Sequence, residues 1–240
     1  MNLSKQYSDK LNGLVLMKEA GLPVLPFFIL DKRGNIEGHI KKFIKDNKVN
    51  KFCVRIDDIS AKMGLNSIID ATLEKDLVRI EELSSRHVVF ISHPGNIYRN
   101  LHSVNIMKDY NEIVLEAIGP GFITPDMDKK GLLHEQIVFD HNFKQLTREL
   151  IVDNKTYLLH RNTKIGSNID IHKKNNSMLL QYQSYLPLSS DEIEYIKSVF
   201  PVIEKVAHNM KYDKFVASLS FIELNKKPEP IFWDLFGITK

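Results

Sequence analysis

Residues 9–30 read Asp-Lys-Leu-Asn-Gly-Leu-Val-Leu-Met-Lys-Glu-Ala-Gly-Leu-Pro-Val-Leu-Pro-Phe-Phe-Ile-Leu. Leu11, Leu14, Val15 and Met17 fall close to helical spacing, which predicts a helix over 9–20. Gly21 follows directly, as the residue past a helix end should, and Pro23 prevents continuation. The apolar run 24–30 then reads as a buried strand with Pro26 near its start. A helix that stops on glycine and hands over to a strand sets the pattern for the first half of the chain.

Working outward, Asp31 to Gly34 is a turn and 36–46 a second helix with Ile36, Ile40 and Phe43 on one face. A strand follows at 51–56, then a small-residue loop at 57–67 and a helix at 73–83 carrying Leu73, Leu77, Ile80 and Leu83. The strand 87–92 ends on His93-Pro94-Gly95. Strands are expected at 101–107 and 112–118, the second running into Gly119-Pro120-Gly121, a turn suited to an unusual backbone path. Segments 132–139, 148–152 and 155–161 read as antiparallel strands, the last two joined at Asp153-Asn154. The Lys- and Asn-rich stretch 163–176 reads as a mobile loop and 178–185 as a strand. Ser189 and Glu192 have capping-box spacing at the head of a helix striped by Ile193, Ile196, Phe200, Ile203 and Val206. Pro201 should kink or split that helix. A hairpin, 215–224 and 230–236, completes the pattern. The expected fold is α+β, with antiparallel sheets and flanking helices in two lobes, 1–90 and 91–240, forming one compact unit.

Lys and Arg number 33 against 30 acidic residues, a net charge of +3, too balanced for a nucleic-acid binder. With 43% hydrophobic and 26% charged residues the chain has globular composition. A single cysteine, Cys53, excludes an internal disulfide and suits a reducing cytoplasm. The start is polar and no apolar stretch reaches about 18 residues, so neither a signal peptide nor a membrane span is expected. Glycine-rich dinucleotide and P-loop signatures are absent, as are paired histidines at ligand spacing. His93 and His208 read as ordinary surface or packed residues.

Four places together carry a resemblance: Lys10 through Val24 with Pro26 and Phe28; Val54-Arg55; Glu116-Ala-Ile-Gly-Pro-Gly-Phe with Thr124-Pro125-Asp126; and Leu188 through Phe221. Their order and wording resemble the ATP-grasp nucleotide-binding domain of the phosphoenolpyruvate synthase and pyruvate phosphate dikinase group. The resemblance implies a protein that binds ATP between two lobes and works with Mg²⁺. It implies a phosphotransferase or a carboxylate-activating ligase acting on an unidentified small molecule or partner.

Lys10 and Arg55 are then the phosphate-binding cations and would supply the catalytic electrostatics. Arg55 suits phosphate because its planar fork makes parallel hydrogen bonds. Two other readings stay open: Lys10 as a solvated helix residue, and Arg55 in a structural pair with Asp57 or Asp58. The resemblance also makes 88–92 the strand that links the lobes and holds adenine, and so puts Phe90, Ser92, Glu116 and Gly119 at the nucleotide. Asp234 and Glu223 are the metal candidates. The family's acidic pair on the penultimate strand falls on Ser218 and Ser220 here, and alternation sets Glu223 on the opposite face from them. These serines also support an alternative, a catalytically decayed nucleotide-binding or partner-docking module. The family's full enzymes carry a swivelling phosphohistidine domain and a pyruvate-binding barrel, and nothing in these 240 residues resembles either.

Overall fold

A computed structural model describes residues 9–31, 34–57, 68–93, 99–118, 134–152, 155–158, 187–224 and 226–238. The Gly119-Pro120-Gly121 turn, the Asp153-Asn154 turn, the strand expected at 178–185, the stretch 163–176 and nearly all of the loop at 57–67 lie outside the described residues.

Helix α1 (Asp9–Glu19) ends as its sequence requires. Gly21 takes φ +81°, a left-handed value glycine reaches without strain. Gly21 N donates to Lys18 O at 3.1 Å and Leu22 N to Met17 O at 3.0 Å, the paired bonds of a Schellman end. Strand β1 (Phe27–Ile29) is shorter than the predicted run 24–30. The chain ahead of it bridges elsewhere, Val24 to Phe232. Pro26 has no N–H for a ladder, which fits a strand that starts only after it.

Helix α2 (Ile36–Asn47), strands β2 (Phe52–Asp57) and β3 (Ile68–Ala71), helix α3 (Leu73–Arg86) and strand β4 (Val88–Ser92) follow. Asn35 caps α2, its side chain accepting from Gly38 N at 2.8 Å. The four strands form a sheet in the order β1-β4-β2-β3. Ile40, Phe43, Phe52, Val54, Ile80, Val89 and Ile91 make its core with the two helices.

Strands β5 (Arg99–Lys108), β6 (Glu112–Ile118), β7 (His134–Asp140), β8 (Gln145–Val152), β9 (Lys155–Leu158), β10 (Phe215–Leu224) and β11 (Lys227–Gly237) form the larger sheet. Its order is β11-β10-β5-β6-β7-β8-β9, with every pairing antiparallel. Helix α4 (Ser190–Asn209) lies against one face, with Phe200 on Phe215 and Tyr195 on Phe221. The chain is thus an α+β protein of antiparallel sheets with flanking helices.

One expectation changes. Pro201 neither splits nor ends α4, which runs unbroken from Ser190 to Asn209. The ring is exposed, while Phe200, Ile203, Val206 and Ala207 bury on either side, so core packing outweighs one missing backbone bond. Strand β3 is an addition: its four residues before a helix give too little periodicity to read from sequence. A boundary at 90/91 would cut β4, and α1 packs with the large-sheet core rather than the small one. Gly13 explains the closeness of α1 to β11: a Cβ there would stand 2.5 Å from the Leu235 carbonyl oxygen. The small sheet is therefore a continuous segment, 27–92, set between two parts of one larger unit.

Candidate functional site

Register assigns every residue of the large sheet to a face. Val104, Ile106, Ile113, Leu115, Ala117, Ile137, Phe139, Phe215, Ala217, Leu219 and Phe221 pack into the core with α1 and α4. Asp234 pairs with Ser218, Ser218 with Asn105, Asn105 with Glu116, Glu116 with Gln136, and Gln136 with Glu149. Six strands thus present one polar row on the face away from α4. Its members are half-buried. Ser218 Oγ donates to Asn105 Oδ1 at 2.8 Å, and Gln136 Nε2 donates to Glu116 Oε1 at 3.4 Å. One row along, the fully buried Ser103 and Ser220 hydroxyls bond at 3.0 Å.

Asp234 reaches this face through an irregularity. Phe232 faces Leu219 and Asp234 faces Ser218, so Trp233 is the extra residue of a bulge. A side chain's face alternates along a strand, and the extra residue turns Asp234 away from the core that Phe232 and Leu235 fill.

In the small sheet, Arg55 pairs with Phe90 and Cys53 with Ser92. These four share the face opposite to Val54, Val89 and Ile91, which lie in the small core. The Arg55 guanidinium stands 5.6 Å from the Phe90 ring centroid. Its Nη2 is 3.6 Å from Asp234 Oδ2, with side-chain exposures of 22% and 16%. That is beyond hydrogen-bond distance, and among the described residues the guanidinium makes no hydrogen bond at all. Five donors mostly removed from water, facing a carboxylate they do not quite touch, are suited to an anion. The partner of Arg55 is thus across the cleft, not its sequence neighbour Asp57; Asp58 lies outside the described residues.

Arg55, Phe90, Ser92, Glu116 and Asp234 therefore line facing surfaces of the two sheets, although Phe90 is 1% exposed and serves as packing beneath Arg55. Strand β4 does not link the lobes as an open strand. It lies between β1 and β2, with Phe90 paired to both Ile29 and Arg55 and Ser92 to both Phe27 and Cys53, so its backbone is engaged on both sides. Lys10 lies in α1, and Gly119 is outside the described residues. Glu223 is not brought to the site. It sits five residues along β10 from Ser218, about 16 Å at ordinary strand rise, and on the helix face. Among the described residues no three His, Cys, Asp or Glu side chains come close enough to hold a metal ion. Asp234, with serine and asparagine as row neighbours and an arginine facing it, does not fit a resident divalent ion. Burial pushes the Cys53 thiol up, so it is no activated nucleophile.

Asn105, Gln136 and Glu149 went unnoticed in the sequence. Each is one polar residue within an otherwise unremarkable strand, and only the register aligns them.

No family model matches the chain, and no curated protein matches it. Some solved structures show a distant likeness to it. The chain is similar to the ATP-grasp ligase PsnB complexed with minimal precursor, at 13% identity and TM-score 0.44, over 100% of this chain and 54% of that one. It is similar to N5-carboxyaminoimidazole synthetase from Staphylococcus aureus complexed with ADP, at 13% identity and TM-score 0.48, over 98% and 46%. It is similar to D-alanyl-alanine synthetase A from Vibrio cholerae, at 9% identity and TM-score 0.48, over 95% and 54%. The chain spans about half the length of these structures.

Proposed function

We propose that this chain is an ATP-grasp-like unit that binds the phosphates of ATP between its two sheets, with Arg55 as the phosphate-holding cation. The observation that carries the reading is the Arg55 guanidinium, mostly buried in the cleft and without a hydrogen bond among the described residues. The sequence at Lys10–Val24 and Val54-Arg55 supports the same reading and points to the phosphoenolpyruvate synthase type. Lys10, at the start of α1, is the second cation of this proposal, and Gly119, just past β6, its backbone contact.

The chemistry proposed is activation of a carboxylate for ligation, or phosphoryl transfer, to an acceptor supplied as a small molecule or a partner. Mg²⁺ would arrive with the nucleotide, held by its phosphate oxygens. A reducing cytoplasm suits the single, half-buried Cys53. No helix among the described residues is long and apolar enough to cross a membrane.

A second reading is favoured by one observation, Ser218 and Ser220 at the positions where the family carries acids. In it the protein binds nucleotide without turnover. Thermal shift with ATP, with and without Mg²⁺, on wild type and Arg55→Gln, separates the cases. A ligand at a hundred times its dissociation constant adds about 2.7 kcal/mol to stability. A Mg²⁺-dependent rise lost in Arg55→Gln is expected of the enzyme, and a Mg²⁺-indifferent rise of the decayed module. No rise with any nucleotide ends both.

A further inference from the structure

Two residues along each strand from the polar row, the same face of the large sheet carries an apolar row. Phe236 pairs with Val216, Val216 with Met107, Met107 with Val114 and Val114 with Val138. None of the five belongs to either hydrophobic core of the described residues. Val216 is 8% exposed and the other four are half-buried. The row is open at its β8 end, where Thr147 faces Val138 and is exposed, and the adjacent Leu146 is 51% exposed. Acids border this lane on both sides. Glu116 and Glu149 stand in the polar row, and Glu112 and Asp140 face each other in the next row out. Like charges directly opposite each other weaken a strand pair. Glu112 and Glu149 make no ion pair among the described residues. The amides of Lys144 and Asn142 donate to Asp140 and hold its carboxyl below the ordinary range, so it stays ionised. The cation of the outer border is Lys214, at the β10 end, and it is paired with Asp109.

We propose that this acid-bordered apolar lane is a docking surface for a cationic amphipathic helix of a partner protein. The apolar stripe of such a helix would lie on Met107, Val114 and Val138, and Lys or Arg on either side of the stripe would meet Glu116 and Glu149 on one border and Glu112 and Asp140 on the other. Charge complementarity decides the occupant. A second copy of this chain, docked lane to lane by a two-fold axis, would set these carboxylates against their own copies. Length fits as well. The lane crosses five strands, about 19 Å at ordinary strand spacing, which is the rise of about 13 helical residues. The long stems of Lys and Arg can cover the edges of the lane while their charged ends reach the borders. The surface is independent of Arg55 and of the nucleotide reading.

The test is fluorescence anisotropy of labelled synthetic peptides of Leu, Ala and Lys, about 14 residues long to match the lane. One peptide has Leu at helical spacing with Lys beside the stripe. A second has the same composition in scrambled order, and a third has Glu in place of every Lys. Wild type is expected to bind the patterned peptide about tenfold more tightly than the scrambled one, more weakly as salt rises, and not to bind the Glu peptide. The double variant Glu112→Lys with Glu149→Lys should bind the patterned peptide about tenfold more weakly. Val138→Ser should weaken it at high salt as much as at low salt, since it removes apolar contact. Melting midpoints are measured for both variants, and the peptide comparisons on wild type do not depend on either of them folding. Equal binding of patterned and scrambled peptides overturns the proposal, as does undiminished binding by a folded double variant or no binding by wild type. Light scattering that finds a dimer, dissolved by Val138→Ser, overturns it in favour of a second copy on this face.

Discussion

The two faces of the seven-stranded sheet carry ionisable groups in opposite ways. On the helix face Glu135 is 0% exposed and fully engaged: Arg148 Nε donates to it at 2.5 Å and Leu188 N at 2.8 Å. Nearby, His102 Nδ1 and Glu192 Oε1 meet at 2.8 Å, and Glu192 also accepts from Ser189 N and Oγ. These contacts fasten the head of α4 to the sheet. On the cleft face the Arg55–Asp234 pair stands at 3.6 Å with its guanidinium donors unused among the described residues. The helix face invests its charges in structure; the cleft face holds them ready for something else. Close geometry on a buried pair marks a role in the fold, and slack geometry on a mostly buried pair marks a role in binding.

Glu135→Ala is the most severe attack on this comparison. It removes the acceptor from Arg148 and from the Leu188 amide, and should lower unfolding free energy in urea by about 3–5 kcal/mol. Gly13→Ala comes next. Its methyl group would press on the Leu235 carbonyl, and a loss of about 1–3 kcal/mol is expected in the same assay.

Glu192→Gln should cost about 1–3 kcal/mol at neutral pH. Burial alone would raise the Glu192 carboxyl, but the hydrogen bond and charge of His102, with the Ser189 groups, outweigh it and hold the carboxyl below its ordinary value. A depressed carboxyl stabilises the fold above the unfolded value of about 4.3 and loses that contribution as pH falls through the folded value. Wild type should therefore lose melting temperature more steeply below about pH 4.3 than Glu192→Gln does. Equal acid slopes would remove Glu192 from the structural set.

Arg55→Gln is the smallest effect and the sharpest test. Its unfolding free energy should stay within about 1 kcal/mol of wild type, since the pair is long and partly solvated, while nucleotide affinity collapses. A loss as large as that of Glu135→Ala would erase the distinction between the faces.

The sequence made most strands and helices legible, because each had its own local signal: Gly21 after α1, the Ser189 and Glu192 box before α4, alternation along β10. The site was legible in pieces. Arg55 drew attention as a charge within an apolar strand, and Asp234 through the resemblance. Their meeting was not legible, since it depends on the Trp233 bulge and on two sheets facing each other. The polar row was invisible for the same reason, as no strand alone announces which neighbour its one polar residue will face. Pro201 shows the opposite failure, a strong local signal overruled by packing on both sides of it.

The contact of Gly13 with Leu235 has a kinetic side. It closes the large core with a pair of elements that stand far apart in sequence, and the whole small sheet intervenes. Loop closure on that scale must precede the reward of packing, which slows folding. The small sheet, built from one unbroken segment, has mostly local contacts to make. During synthesis residues 27–92 can condense early, while α1 has to wait for β11 to leave the ribosome before it finds its seat.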